Sequence, residues 1–142
     1  MQNRTEGYRL SPQQKRAWLL QQTSLAYRSQ TAIRIDGHLQ PSLLQQAINQ
    51  AISDNEILRT TFHRQPGMII PFQVISQVGD CRWAYLDYSG LSLSEQEQES
   101  CRLIEQEAQQ PFNYEQGPVL RATLMKVSEG RHILVVSLPS VC

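Results

Sequence analysis

The chain has 142 residues, 40% of them hydrophobic and 18% charged, enough for one ordinary core. Its 13 basic and 13 acidic side chains cancel, which argues against a nucleic-acid partner, because such partners need a basic face. No apolar run reaches the roughly 18 residues of a membrane span, and the polar start MQNRTEG is unlike a secretory leader. The expectation is a soluble cytoplasmic chain with no membrane partner. Cys81, Cys101 and Cys142 are odd in number and widely spaced, which fits free thiols in a reducing compartment, with no disulfide framework and no zinc site.

Residues 1–7 form a polar lead expected to be disordered. Ser11-Pro12-Gln13-Gln14 is a helix start: Ser11 caps, Pro12 suits the first helical position and Gln14 closes a capping box. The helix is expected to end near Gln22 and to bury Trp18. Gln22–Gln30 reads as a polar connection. Thr31–Asp36 alternates Ile33 and Ile35 against Arg34 and Asp36, a strand closed by Gly37. His38 follows in a loop with no acidic partner in sequence, so it receives no role.

Pro41–Ser53 is the strongest helical pattern. Leu43, Leu44, Ala47, Ile48, Ala51 and Ile52 fall within one half-turn, and polar residues fill the other. Burying that whole face would contribute on the order of 10 kcal/mol. The cap is either Gln40, with Pro41 first, or Ser42, with Gln45 closing a box. Leu58–Arg64 then turns β-like, Pro66-Gly67 makes a turn, and a strand follows around Phe72–Ile75. Strand, helix and strand in succession imply an α/β or α+β layer.

Gly79–Gly90 holds another strand and turn. Ser94–Glu97 reads as a capping box opening a helix to about Gln110, with Cys101, Ile104 and Ala108 on a narrow apolar side. Its EQEQE stretch is expected to face water. Pro111-Phe112 breaks the helix. Leu120–Leu124 is a strand, Ser128-Glu129-Gly130 turns it, and Arg131–Leu138 returns as a nearly continuous apolar run, the pattern of a central strand covered on both faces.

Several stretches resemble one family. SPQQKRAWLLQQ at Ser11–Gln22 is similar to the opening motif of nonribosomal peptide synthetase condensation domains, through Ser11, Gln14, Arg16 and Trp18. DNEILRTTF at Asp54–Phe62 resembles their second motif, RHExLRTxF. There Glu56, Leu58, Arg59, Thr60 and Phe62 match, and Asn55 stands in place of a histidine. Leu86–Ser89 resembles an LDLS-like stretch, and Pro111–Val127 is similar to PFDLxxGPLLRAxLxxL, including Arg121.

The resemblance covers Tyr8 to Leu138 and implies an α/β fold of the chloramphenicol acetyltransferase-like kind. The chain would be its N-terminal lobe, a mixed sheet with helices packed on it, forming a partial condensation domain over 1–142. Such domains join a carrier-bound acyl or peptidyl thioester to a carrier-bound amine. The implied partners are carrier (thiolation) domains bearing those thioesters on phosphopantetheine, and the adenylation domain of the same synthetase. No cofactor is expected to be bound by this chain itself.

In that family the last strand runs into HHxxxDG, whose second histidine is the residue usually assigned to act on the acceptor amine. In this register Pro139 and Ser140 stand where the histidines belong, and His132 lies seven residues too early. No residue is therefore assigned as catalytic. Ser140 and Cys142 lack a placed base and are not expected to be nucleophiles. Ser11, Gln14, Arg16, Trp18, Glu56, Arg59 and Arg121 are expected to be structural, with carboxylate partners for the two internal arginines. Two other readings stay open: a catalytically silent docking or gating module, and a coenzyme A-dependent acyltransferase of the same superfamily.

Overall fold

The computed structural model describes residues 6–142, so positions 1–5 of the expected disordered lead lie outside it. Gly7, at the end of that lead, already belongs to a strand. In chain order the elements are β1 (Gly7–Arg9), α1 (Pro12–Gln21), β2 (Arg28–Asp36), α2 (Pro41–Asp54), a 3-10 turn at Glu56–Arg59, β3 (Thr60–His63), β4 (Phe72–Ile75), β5 (Arg82–Asp87), α3 (Leu93–Gln109), β6 (Arg121–Ser128) and β7 (Arg131–Pro139). They build two sheets. One is three-stranded, in the order β1-β4-β3; the other is four-stranded, in the order β2-β7-β6-β5. All pairings are antiparallel except β5 with β6. The strands before and after α2 thus lie in different sheets.

Burial explains the four-stranded sheet. In β6, Arg121 through Met125 are buried without a break, and most of β7 is buried or half-buried. Strands covered on both faces have this uninterrupted pattern. One face carries Ala122, Leu124 and Leu134 against Ile52, Ile48 and Leu44 of α2. The opposite face carries Arg121, whose guanidinium meets Glu107 of α3. The sheet is therefore a layer between two helices.

The sequence pattern of α2 promises more burial than occurs. Leu44, Ile48 and Ile52 pack on the sheet, whereas Ala47 and Ala51 are exposed and Leu43 is 55% exposed. Only Ile52 is fully buried and Leu44 and Ile48 are half-buried, so the face contributes at most roughly 5–9 kcal/mol rather than the contribution of six positions. The cap is Gln40 with Pro41 at the first position, and its side chain makes no capping hydrogen bond.

Two local expectations also shift. β2 starts at Arg28, inside the stretch read as a connection, and as an edge strand it leaves Ile33 exposed. The box opening α3 is Ser92 with Glu95, two residues before the one expected. On that helix Gln96, within the stretch expected to face water, donates to the carbonyls of Tyr88, Leu91 and Val127 at 3.0, 3.2 and 3.0 Å. The Ser11–Gln14 box, the Pro66-Gly67 turn and the β6–β7 hairpin form as expected.

Ile52→Ala is expected to cost roughly 2–5 kcal/mol in urea denaturation, because it opens a cavity at the centre of the helix–sheet contact. Leu43→Ala is expected to change stability by less than about 0.5 kcal/mol. Equal losses at both positions would contradict this packing.

Candidate functional site

The position of interest is the end of β7. That strand is hydrogen-bonded on both sides. Arg28 faces Pro139 and Asp36 faces Arg131 across β2, while Arg121 faces Ser137 across β6. Ladders on both edges fix its register, since a slip of one residue would exchange its two faces. Pro139 is buried as the last residue of the strand. Ser140 is exposed, and its main-chain N–H donates to Tyr27 O at 3.2 Å. His132 is buried at the opposite end of β7, about 23 Å away at roughly 3.3 Å per strand residue. His63 lies on β3, where its Nε2 sits 2.8 Å from Thr61 Oγ1 and its ring stacks on Phe72. His38 is exposed beyond Gly37. Among the described residues, no histidine stands at the end of β7.

The segment after β7 lands on an aromatic cluster built by the matched motifs. Val141 is buried against Leu10, Trp18 and Phe62, with Ala17, Ile70, Tyr114 and Cys142 around them. Trp18 comes from the first motif, Phe62 from the second and Tyr114 from the Pro111–Val127 stretch. Trp18 and Tyr114 meet edge-on at 5.1 Å, and Phe62 lies 6.0 Å from Trp18. Such pairs contribute about 0.5–1.5 kcal/mol each beyond the area they bury.

Gln14 joins the same assembly. Its Oε1 accepts from Ser11 N at 2.9 Å, and its Nε2 donates to Gln73 Oε1 at 3.1 Å and to Val141 O at 3.4 Å. One glutamine side chain therefore links the cap of α1, strand β4 and the residues following β7. Ser11 keeps its capping role. Arg16 is exposed and stands outside the cluster.

Two of the thiols, Cys81 and Cys142, are held in the protonated form. Burial pushes Cys142 up to about 12 and Cys81 up to about 11. A thiol held in its protonated form is a poor nucleophile. Among the described residues no group of three or more histidine, cysteine, aspartate or glutamate side chains is placed to hold a metal ion.

Arg121 is clamped from several sides. Its Nη1 donates to Pro111 O at 3.0 Å, and its Nη2 to Glu107 O and Gln110 O at 3.1 and 3.0 Å. Nε lies 3.1 Å from Glu107 Oε2 without aiming its hydrogen at that oxygen, so the contact is an ion pair rather than a hydrogen bond. The guanidinium lies over the Phe112 ring at 4.1 Å. Burial pulls Arg121 below its ordinary value, and the Glu107 carboxylate opposes that shift.

Arg28, which the sequence left unassigned, joins Arg121. Its Nη1 donates to Glu107 O and Gln110 O at 3.0 and 2.7 Å, and it lies 5.1 Å from the Phe112 centroid. Two cations thus close the C-terminal end of α3, where unpaired carbonyls and the helix dipole favour positive charge.

Arg59 has a carboxylate neighbour as expected, but its hydrogen bonds go to carbonyls. Its Nη1 donates to Ser76 O at 2.5 Å and its Nε to Ser53 O at 3.3 Å. Glu56 is exposed and 3.8 Å away, a surface pair that contributes little. Arg59 therefore ties the end of α2 to the segment after β4 mainly through carbonyls. Gly79 makes that approach feasible, because a Cβ there would lie 2.6 Å from Arg59 Cβ.

With this geometry in place, the comparisons are consistent with one another. The condensation-domain family model matches residues 4–138. Chondramide synthase cmdD of Chondromyces crocatus is 38% identical over 128 residues, covering 88% of this chain and 3% of that protein. Bacitracin synthase 2 of Bacillus licheniformis is 36% identical over 134 residues, covering 92% and 5%. The starter condensation domain of rhizomide synthetase RzmA superposes with a TM-score of 0.81 at 24% identity, over 96% of this chain and 34% of that one. The first condensation domain of the calcium-dependent antibiotic synthetase gives 0.81 at 20%, over 94% and 33%. The chain belongs to the condensation-domain family. Its fold is the chloramphenicol acetyltransferase-like α/β lobe, and it spans about a third of the solved domains and a few per cent of the curated relatives.

Arg121→Ala should lower the unfolding free energy by up to roughly 3–5 kcal/mol, because it leaves the half-buried Glu107 carboxylate and three α3-end carbonyls without their partner. Arg28→Ala should cost less, since Arg121 still reaches the same carbonyls. Equal and small losses in chemical denaturation would contradict the clamp.

At about pH 8 a maleimide should modify the exposed Cys101 rapidly and leave Cys81 and Cys142 intact in the folded chain. A raised thiol pKa means that the folded state favours the protonated form. That contribution is present below the ordinary value of 9.0 and is lost as pH climbs through about 11 and about 12. Thermal melts should therefore fall across that alkaline range.

Proposed function

We propose that this chain forms the N-terminal lobe of a condensation domain that joins a carrier-bound acyl or peptidyl thioester to a carrier-bound amine. In this reading phosphopantetheine arms of carrier domains deliver both reactants, an adenylation domain of the same synthetase supplies one of them, and the assembly works in the cytoplasm. The observation that carries the reading is the convergence of Trp18, Phe62, Tyr114 and Val141 at the end of β7. Three separate stretches that match the family build a single platform there.

At that platform Pro139 and Ser140 replace the family's histidine pair, and neither side chain titrates near neutral pH. A positioned general base is worth about 10²–10⁴-fold. Holding both reactants in line is worth roughly 7–11 kcal/mol. A complete domain that holds both reactants in line therefore retains a route to the amide by proximity alone, at a rate reduced by the missing base. The absence of a base also favours a second reading, a condensation-like module that docks or gates carriers without forming a bond.

The test is amide formation from a loaded carrier pair by the polypeptide that carries this sequence, compared with its Pro139→His/Ser140→His double variant. The proposal expects a slow basal rate that the double variant raises by about 10²–10⁴-fold. A silent module would show no product from the starting protein. No gain from the double variant, with its fold retained, would sink the assignment of this position as the reaction centre.

A further inference from the structure

We infer that the outer edge of β2 is a self-association surface, which pairs with β2 of a second copy of this chain, antiparallel about a twofold axis at Ala32. β2 is an outer strand of the four-stranded sheet, and only β7 pairs with it among the described residues. Gly37 N–H donates to Gly130 O and Ser140 N–H donates to Tyr27 O, both in the β2–β7 register. Main-chain groups of the odd-numbered residues therefore turn toward β7, and those of Gln30, Ala32 and Arg34 turn outward. Natural edge strands are blocked by proline, by a bulge or by a covering loop or helix. Arg28–Asp36 has no proline, and its partner pairs with β7 run without a register shift. Thr31, Ala32, Ile33 and Arg34 are exposed in succession.

The charges on this edge match those of a second copy. Centred on Ala32, the pairing overlaps the whole strand. It sets Arg28 opposite the second copy's Asp36 at both ends, with Gln30 opposite Arg34. Opposite charges across such a pair stabilise it, and like charges oppose it. Arg28 Nε and Nη1 take the carbonyls of Leu25, Glu107 and Gln110, and Nη2 makes no hydrogen bond among the described residues. Moving the axis to Thr31 would set Arg28 against Arg34, and moving it to Arg34 would set two copies of that arginine face to face. An axis at Ile33 drops Arg28 from the ladder. The Ala32 axis is thus the one that keeps full overlap with no like charges opposed.

The apolar side chains and the helices suit the same axis. Ile33, 44% exposed, comes opposite the second copy's Thr31 and diagonal to its Ile33, so each copy covers the other's isoleucine. α3 reaches β2 through Gln30, whose Nε2 donates to Ile104 O at 3.1 Å, and β6 through Arg121, so it lies over β7. With the two β2 strands paired between them, the two β7 strands stand three strand spacings apart, about 14 Å. Packed helices need roughly 8–10 Å, so the two α3 helices clear each other. The same surface serves on both copies, as a closed twofold dimer requires. The inference does not depend on whether Pro139-Ser140 silences the chain.

The test is oxidative cross-linking of cysteine variants of the full chain, in a Cys101→Ser background that removes the exposed native thiol. Ala32→Cys should give a disulfide-linked dimer on a non-reducing gel. The two copies of residue 32 face each other at about 5.5 Å between Cα atoms, within the range a disulfide spans. Gln30→Cys alone should stay monomeric, because its opposite is Arg34, and a mixture of Gln30→Cys with Arg34→Cys should cross-link. Light scattering of the unmodified chain over about 1–200 µM should show a mass rising toward that of a dimer. Ala32→Pro removes an N–H that faces outward, a change an edge strand tolerates, and should weaken the association by at least roughly tenfold with circular dichroism unchanged. A constant monomer mass across that range, or equal cross-linking of Ala32→Cys and Gln30→Cys, would overturn the inference.

Discussion

The register of β7 is the constraint on which the rest depends. Flanked on both edges and covered on both faces, the strand cannot shift without exposing one apolar set and burying another. That rigidity puts the residues after it against α1 and β3, and it decides which side chains arrive there. Pro139 ends the ladder, and Val141 plugs into the aromatic cluster. His132 is fixed at the far end, beside Ile35 of β2. The chemistry available at the end of β7 follows from backbone pairing before any side chain there is considered.

Two arginines stabilise the frame around that strand in different ways. Arg28 on β2 and Arg121 on β6 stand on either side of β7 and converge on the last carbonyls of α3. Their charge is offset by Glu107, by the helix dipole and by the Phe112 ring, so burial is tolerated. Arg59 instead uses the carbonyls of Ser53 and Ser76 to hold α2 against the smaller sheet's connection. The first clamp fixes the face of the sheet opposite α2; the second fixes how α2 leaves it. Between them the cluster at Trp18 keeps a constant relation to β7.

Local features were legible where the physics is local. The Ser11–Gln14 box, the Pro-Gly turn and the hairpin rest on contacts within a few residues, and each forms as the pattern implies. The apolar run of Arg131–Leu138 announced a central strand because only double coverage suits it. What failed was set by distant partners. Arg28 lies in a polar stretch, and its partners are 79 and 82 positions away. Gln96 looked like one more solvated residue, yet it satisfies a carbonyl 31 positions away in β6. Ser92 and Ser94 offer the same box spacing, so spacing cannot choose between them. The moment of α2 gives the direction of its apolar face; how wide a strip the sheet covers depends on neighbours that the helix does not encode. The platform itself was legible only as separate motifs, since nothing in their spacing says that Trp18, Phe62, Tyr114 and Val141 meet.

The most direct check of the account is the set of nuclear Overhauser contacts made by Val141 and His132 in solution. The register described here predicts strong contacts from the Val141 methyls to the Trp18 and Phe62 rings, and from the His132 ring to Ile35. A His132 ring found against Trp18, or Val141 methyls free of the aromatic cluster, would mean that β7 is paired differently. The end of that strand would then not be where Pro139 and Ser140 stand.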